Sequence, residues 1–563
     1  MPFSTMRRLM LAVLLLMAAP TWAQQVVVTN DITSNTTWTA DNEYILNGLI
    51  FVNEGAQLTI QAGTIIKGRA QENITGADAG LASALIVRKG GLINADGTAS
   101  NPIIFTSEFD DVADPADLRD GAGNEVRGLW GGIVLLGRAS TNQPGATQIE
   151  GIDANDEVAE YGEDDPANVD DEDSSGLLRY VSIRHAGFSV SGVEGDELNG
   201  LTMGAVGNRT TIEYVEVFAN FDDCFEWFGG TVNTKYLVGA LCGDDTFDYD
   251  EGFRGNGQFW FSIHDTDTAG RAGEHDGGND AGDGATPLSR PVISNVTYIG
   301  SGAGATVPGG DNNDRTFAIR DAAGGLYFNS VFTDFPGVGV NIEDLDSGVD
   351  SRQRLEEGDL DFVNNVWFGF GGDILPQGFV ADAILGDQII ANPLLSGISR
   401  APDAGLDPRP NSGSPVEGTG TFDSSELNDL FFDRVDFIGA FGNDNWIDGW
   451  TGLAQGGYVG DLQSNPIVVS NEESLPSDVS VFEVFPNPFA QSATVRFGVE
   501  SAQDVEVVVF DMLGRRVAQL AAGTMAAGEQ EVTFEGRNLP SGVYFVRVRT
   551  QAGSAVQKVS LVK

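Results

Sequence analysis

Cations are scarce in this chain: 31 Lys and Arg stand against 82 Asp and Glu over 563 residues, and only five of the basic residues are Lys. A field of that sign repels nucleic acid and anionic membranes and disfavours unassisted binding of acidic polysaccharides. Cysteine is nearly absent. Cys224 and Cys242 are the only two, and neither has a His or further Cys at zinc-ligand spacing, so a zinc cluster is not expected. The three His, at 185, 264 and 275, read as structural or surface residues rather than catalytic bases. No helical period is sustained, and past the N-terminus no apolar run is long enough to span a bilayer as a helix.

The N-terminus reads as a cleavable signal peptide over residues 1–23. Arg7 and Arg8 precede an apolar stretch from Leu9 to Ala19, and Thr21-Trp22-Ala23 offers a cleavage site before Gln24. Export puts the two cysteines in an oxidising compartment, where a Cys224–Cys242 disulfide is the default expectation.

From 24 to 463 very short strands alternate with Gly turns, as in Ile50-Phe51-Val52, Leu85-Ile86-Val87 and Ile133-Val134-Leu135. A clearer repeat runs through Tyr180-Val181, Tyr214-Val215, Tyr236-Leu237, Asn295-Val296, Asn329-Ser330 and Asn365-Val366. One coil of a parallel β-helix takes roughly 20 to 35 residues, so these windows suggest one strand per coil, with Asn295, Asn329 and Asn365 stacked as a ladder. The predicted fold is all-β: a right-handed parallel β-helix, closed by a cap over about 386–451, with a polar linker at 464–480. A sandwich or propeller is the alternative architecture, and irregular coil lengths argue against a propeller.

The strongest chemical signal is an echo at an offset of 22 residues. Phe221-Asp222-Asp223-Cys224-Phe225-Glu226 returns as Gly243-Asp244-Asp245-Thr246-Phe247-Asp248, which should stack Asp222 on Asp244, Asp223 on Asp245 and Glu226 on Asp248. Asn313-Asp314-Arg315-Thr316-Phe317 is a third, partial echo. Carboxylates one strand apart repel unless a cation, a proton or an Arg intervenes. Ca²⁺ suits several hard oxygen ligands, and Arg254 and Arg320 are candidate counter-charges. Solvated turn acids over a Phe core are the plainer alternative. The acidic run Asp153–Asp173 looks like an exposed loop, and Gly277-Gly278-Asn279-Asp280-Ala281-Gly282-Asp283-Gly284 has the composition of a single calcium-binding turn.

The last 83 residues, 481–563, alternate as a small β-sandwich and carry eight basic and eight acidic residues, so the charge belongs to the passenger, with 74 acids against 21 bases. Here Pro486-Asn487-Pro488 is followed by Asp511-Met512-Leu513-Gly514-Arg515, then Gly542-Val543-Tyr544, then the terminal Lys563. In order and position these residues resemble the type A sorting domain of the type IX secretion system, and the passenger resembles right-handed parallel β-helix surface proteins. The resemblance implies the type IX machinery as partner, a secreted or outer-surface destination, and attachment to lipopolysaccharide as one fate.

The expected function is a Ca²⁺-stabilised, non-enzymatic adhesin or glycan-binding scaffold, with carbohydrate as the ligand class and no nucleic acid. The alternative is a secreted polysaccharide lyase or glycoside hydrolase using the same acids. Trp227, Tyr249, Trp260 and Trp367 are the aromatics that could stack on sugars.

Overall fold

The computed structural model describes residues 24–563 apart from 76–81, 153–158, 189–197, 267, 279–284, 307–312, 347, 461–478, 488, 500, 512–515, 538, 541 and 551–553. The expected signal peptide, most of the expected linker, six of the eight residues of the 277–284 turn and part of the acidic run fall outside these residues. The chain divides into two compact units, Met1–Gly460 and Asp461–Lys563.

Short β-branched and aromatic strands separated by turn residues can satisfy their backbone only against a neighbouring coil, and here they do so in parallel register. Three ladders result. The first runs from Thr36–Trp38 through Gln57–Ile60, Leu92–Asp96 and Asn256–Gln258 to Leu360–Val363. The second runs from Gln24–Val28 through Asn42–Leu46, Ile65–Gly68, Ile103–Ser107 and Phe261–Ile263 to Val366–Phe370. The third joins Leu49–Val52, Ala84–Val87, Gly132–Leu136, Leu201–Gly204, Phe225–Phe228, Phe247–Asp250, Gly273–Asp276, Arg315–Arg320 and Val338–Ile342. Inward residues of all three fill one apolar core, including Leu85, Ile133, Leu201, Phe225 and Phe247. Trp227, Tyr249, Trp260 and Trp367 also lie wholly inside it.

Strands Gly176–Arg184, Thr211–Phe218 and Thr234–Ala240 serve the first and second ladders together. Each bends once, at Tyr180, Tyr214 and Tyr236, where φ is 48°, 54° and 56°. The same corner is occupied by Phe259, Asn295, Asn329 and Asn364 in later coils, all at φ between 51° and 58°. Left-handed backbone is tolerated best by Asn among these residue types, so four bulky corners are held there by their surroundings.

Those surroundings are the chain after the last coil. Helix Gly378–Ile384 buries Val380 and Ile384 and, with Ile389–Ile390 paired to Val366–Trp367, sits at the final coil. The segment beyond, 391–460, does not stay at that end. It returns along the flank as a strap. Trp450 meets the rings of Tyr180 and Tyr214 edge-on at 5.6 and 6.3 Å, Trp446 meets Tyr236 at 5.2 Å, and Phe441 meets Phe261 at 5.2 Å.

The strap also corrects the expected asparagine ladder. Asn295, Asn329 and Asn364 share the corner, whereas Asn365 lies one position further along, beside Ser330. The corner amides donate to strap carbonyls: Asn295 to Phe437 at 2.9 Å, Asn329 to Thr421 at 2.7 Å and Asn364 to Thr419 at 2.9 Å. Only Asn364 and Asn329 bond each other, at 2.8 Å. Consecutive asparagines at 364 and 365 concealed the register.

The second unit is a β-sandwich. Val479–Phe485, Ser492–Val499 and Gly528–Glu535 form one antiparallel sheet; Arg516–Met525, Gln503–Asp511, Gly542–Arg549 and Ser554–Leu561 form the other. Val495, Phe497, Val507, Phe534 and Val546 close its core.

Candidate cation site and family

The third ladder has an outward column that changes character along the helix. It reads Phe51, Ile86, Val134, Thr202, Glu226, Asp248, Glu274, Ala318 and Asn341. Over the apolar start lies the β-hairpin of Thr147–Gln148 and Glu160–Tyr161, whose Ile149, Ile152, Ala159 and Tyr161 pack on Ile86, Val134 and Leu136. Three acids in succession follow.

The 22-residue echo aligns as the sequence suggests: Phe225 pairs with Phe247 and Glu226 with Asp248. Asp223 and Asp245 occupy the turn before these strands, and Asp223 Oδ1 accepts the Asp245 backbone N–H at 2.8 Å. Phe317 enters the same inward column through Gly273, so the third echo belongs to the ladder, with Arg315 beyond Arg271. The Cys224–Cys242 disulfide is formed, with its Cα atoms 5.8 Å apart, beside this turn.

Side-chain oxygens of Asp223, Glu226 and Asp248 lie within 4.8 Å of one another, as do those of Asp222, Asp223 and Asp244. Burial and the neighbouring Asp222 and Asp245 push the Asp223 carboxyl well above the usual range. Burial and Glu150 do the same to Glu226, and burial with Glu274 and Asp276 to Asp248. Asp245 is raised well above the range by burial and Glu274, and Asp244 is raised by the same two causes. One carboxylate oxygen of Asp248 is sealed from solvent with no hydrogen-bond partner.

Arginines neutralise only one half of the ladder. Arg271 pairs with Asp245 at 3.3 Å and Glu274 at 2.6 Å; Arg320 pairs with Glu274 at 2.7 Å and Asp276 at 2.8 Å. Among the described residues no Lys or Arg forms an ion pair with Asp223, Glu226 or Asp248. Of the two expected counter-charges, Arg320 reaches the acid column, but its ion pairs are to Glu274 and Asp276 and to none of the six expected acids. Arg254 does not reach it: it turns toward Ser140 and lies 3.6 Å from Asp171. Arg271 was missed because it follows Asp245 by 26 residues, outside the 22-residue echo.

The remaining expected residues sort quickly. All three His are buried and neutral: burial drives His185 down to about 4 and His264 and His275 to about 3. His275 stacks on Tyr249 at 3.9 Å inside the core. In the acidic run, Asp171 accepts the backbone N–H of Ser140 at 2.9 Å and Asp173 that of Arg138 at 3.0 Å, so these acids shape a loop as well as face solvent.

In the sandwich, Pro486 and Asn487 are exposed, and Asn487 accepts the Ser560 N–H at 2.9 Å. Gly542 opens its strand and Asp511 ends another. The Tyr544 hydroxyl donates to Pro540 O at 2.8 Å, and Lys563 Nζ donates to the carbonyls of Arg537 and Leu539 at 2.7 and 2.6 Å. Pro488, Gly514 and Arg515 fall outside the described residues.

Residues 30–371 match the family described as pectate-lyase like beta helix domain, and residues 483–562 match the secretion system C-terminal sorting domain. No curated protein matches the chain. Among solved structures, the crystal structure of the Bacteriophage CBA120 tailspike protein 4 enzymatically active domain is similar at 8% identity with a TM-score of 0.15. That alignment covers 92% of this chain and 64% of that one, too slight a likeness to bear on chemistry. The chain therefore belongs to the pectate-lyase-like β-helix family and ends in a type IX secretion sorting domain, which sends it out of the cell or onto its outer surface.

Proposed function

We propose that the passenger is a Ca²⁺-stabilised, non-enzymatic adhesin or glycan-binding scaffold. The observation that carries this reading is the part of the acid ladder where Asp223, Glu226 and Asp248, with no Lys or Arg ion pair among the described residues, bring their oxygens within 4.8 Å. Three partly or wholly buried carboxylates cannot all ionise side by side without a cation, and Ca²⁺ accepts such oxygen ligands readily. A passenger exported into a Ca²⁺-containing medium gains that ion where it works. Carbohydrate is the proposed ligand class, and surface lipopolysaccharide the proposed attachment point after loss of the sorting domain. Isothermal titration of the mature chain with Ca²⁺, alongside its melting temperature with Ca²⁺ and with chelator, tests the metal. No heat of binding and no rise in melting temperature would remove it.

A secreted lyase or glycosidase is the second reading, favoured by one observation: Glu150 is exposed beside the buried Glu226, a reachable acid next to one whose ionisation burial and Glu150 oppose. Against it, Trp227, Tyr249, Trp260 and Trp367 are committed to the core and present no ring to a sugar. Assaying a glycan panel for new unsaturated ends and new reducing ends decides between the two.

A further inference from the structure

We infer that Glu150 and Asn199 complete the cation site, so that a bound Ca²⁺ fastens the Thr147–Tyr161 hairpin onto the acid face of the helix. This rests on the cation reading above and extends it to residues from a second element.

Asn199 lies just before strand Leu201–Gly204 and is 1% exposed. Its Nδ2 donates to Glu150 Oε1 at 2.9 Å and also to Glu226 Oε2, so a single amide spans an acid of the hairpin and an acid of the ladder. Its Oδ1 is buried without a partner. Half a turn about the amide exchanges nitrogen and oxygen, and a cation between Glu150 and Glu226 would draw the oxygen inward as a ligand. Thr202 makes the same point independently. It pairs with Glu226 across the ladder, is fully buried, and its Oγ1 has no partner. Asp223, Glu226, Asp248, Glu150, Asn199 and Thr202 then supply side-chain oxygens in the number Ca²⁺ takes, roughly six to eight. A zinc-like, four-coordinate nitrogen and sulfur set is absent from these six residues.

The hairpin already rests on apolar packing through Ile149, Ile152, Ala159 and Tyr161. Glu150 follows Ile149 in the hairpin and is exposed, so the site would present a carboxylate to solvent. Without the ion, Glu150 faces Glu226, and ionising both sets two like charges side by side against that packing. With it, the same pair becomes the clasp.

The test is hydrogen exchange at the amides of Thr147–Ile152 and Ala159–Tyr161 in the mature full-length chain, with Ca²⁺ and with chelator. The wild type should exchange there roughly tenfold more slowly with Ca²⁺. Glu150→Gln, at an exposed position outside the core, should still bind Ca²⁺ with a roughly tenfold weaker Kd and lose the protection. Asn199→Asp, which keeps an oxygen ligand, should retain both. Tight Ca²⁺ binding with unchanged hairpin exchange, or a Glu150→Gln chain that binds and protects like wild type, overturns the clasp while leaving the cation site standing. A wild type that binds no Ca²⁺ overturns both.

Discussion

Asp223 Oδ1 accepts the backbone N–H of Asp245 at 2.8 Å, so one acid of the ladder caps the turn that carries the next. Asp245 in turn faces Arg271, and Asp223 does not share that guanidinium. The charge problem of the ladder is thus concentrated at its early end.

Removing one charge there should separate repulsion from ligation. Asp248→Asn keeps the shape and deletes a carboxyl whose ionisation burial and its acidic neighbours oppose. In chelator at pH 8 the variant should melt above the wild type. In Ca²⁺ it should gain less than the wild type does, as read by differential scanning fluorimetry. A variant that melts lower than wild type in chelator contradicts the repulsion.

Acidity gives a second readout. Burial, then Asp276 and Glu251, lifts Asp250 to about 8, and burial lifts Glu251 to about 7. An acid whose folded pKa exceeds its unfolded value of about 4 binds its proton more tightly in the folded state. Its stabilising contribution is complete below pH ~4 and is lost as pH climbs through the folded value. The metal-free passenger should therefore lose melting temperature steadily from pH 5 to 8, and Ca²⁺ should flatten that slope. A flat metal-free profile would contradict the buried acid set.

The Cys224–Cys242 bridge closes a loop with a sequence separation of 18 between adjacent coils. Loop-closure entropy puts its worth at roughly 3 kcal/mol. Urea unfolding of a Cys224→Ala/Cys242→Ala chain should show a loss of that order, with a weaker response to Ca²⁺ because Asp223 adjoins the bridge.

The strap offers the fourth case. Trp450 is wholly buried against Tyr180 and Tyr214, and its Nε1 donates to Trp446 O at 2.7 Å. Trp450→Ala should cost about 3–5 kcal/mol. Tryptic cleavage within 391–460 should follow before the coils themselves unfold. Simultaneous loss of strap and coils would show that they form one cooperative unit.

The coils were legible because a corner that repeats its backbone repeats its side chain: Tyr180, Tyr214 and Tyr236 mark three of them by eye. Phe259 occupies the same corner yet escaped notice, since it belongs to no Tyr or Asn series. The acid ladder was legible wherever coil length held at 22 residues, and it dissolved where a loop lengthened the coil, hiding Arg271. Glu150 was beyond reach for another reason. It comes to Asn199 and Glu226 by the folding back of a hairpin, a relationship that periodicity does not encode. The return of the strap was hidden likewise, because its seat combines ring contacts with side-chain amides that meet carbonyls over separations of 55 to 142 residues.

That strap has a consequence for how the molecule can change. It is anchored at the corner of Asn364 and again at the corner of Tyr180, six coils away, and between them it fits asparagines first and aromatic rings afterwards. A solenoid held only by neighbouring coils can gain or lose one without penalty elsewhere. Here an added coil would displace one anchorage from the other by about 4.8 Å and set rings where amides are met. The strap is a gauge, and it fixes the length of the helix it lies on.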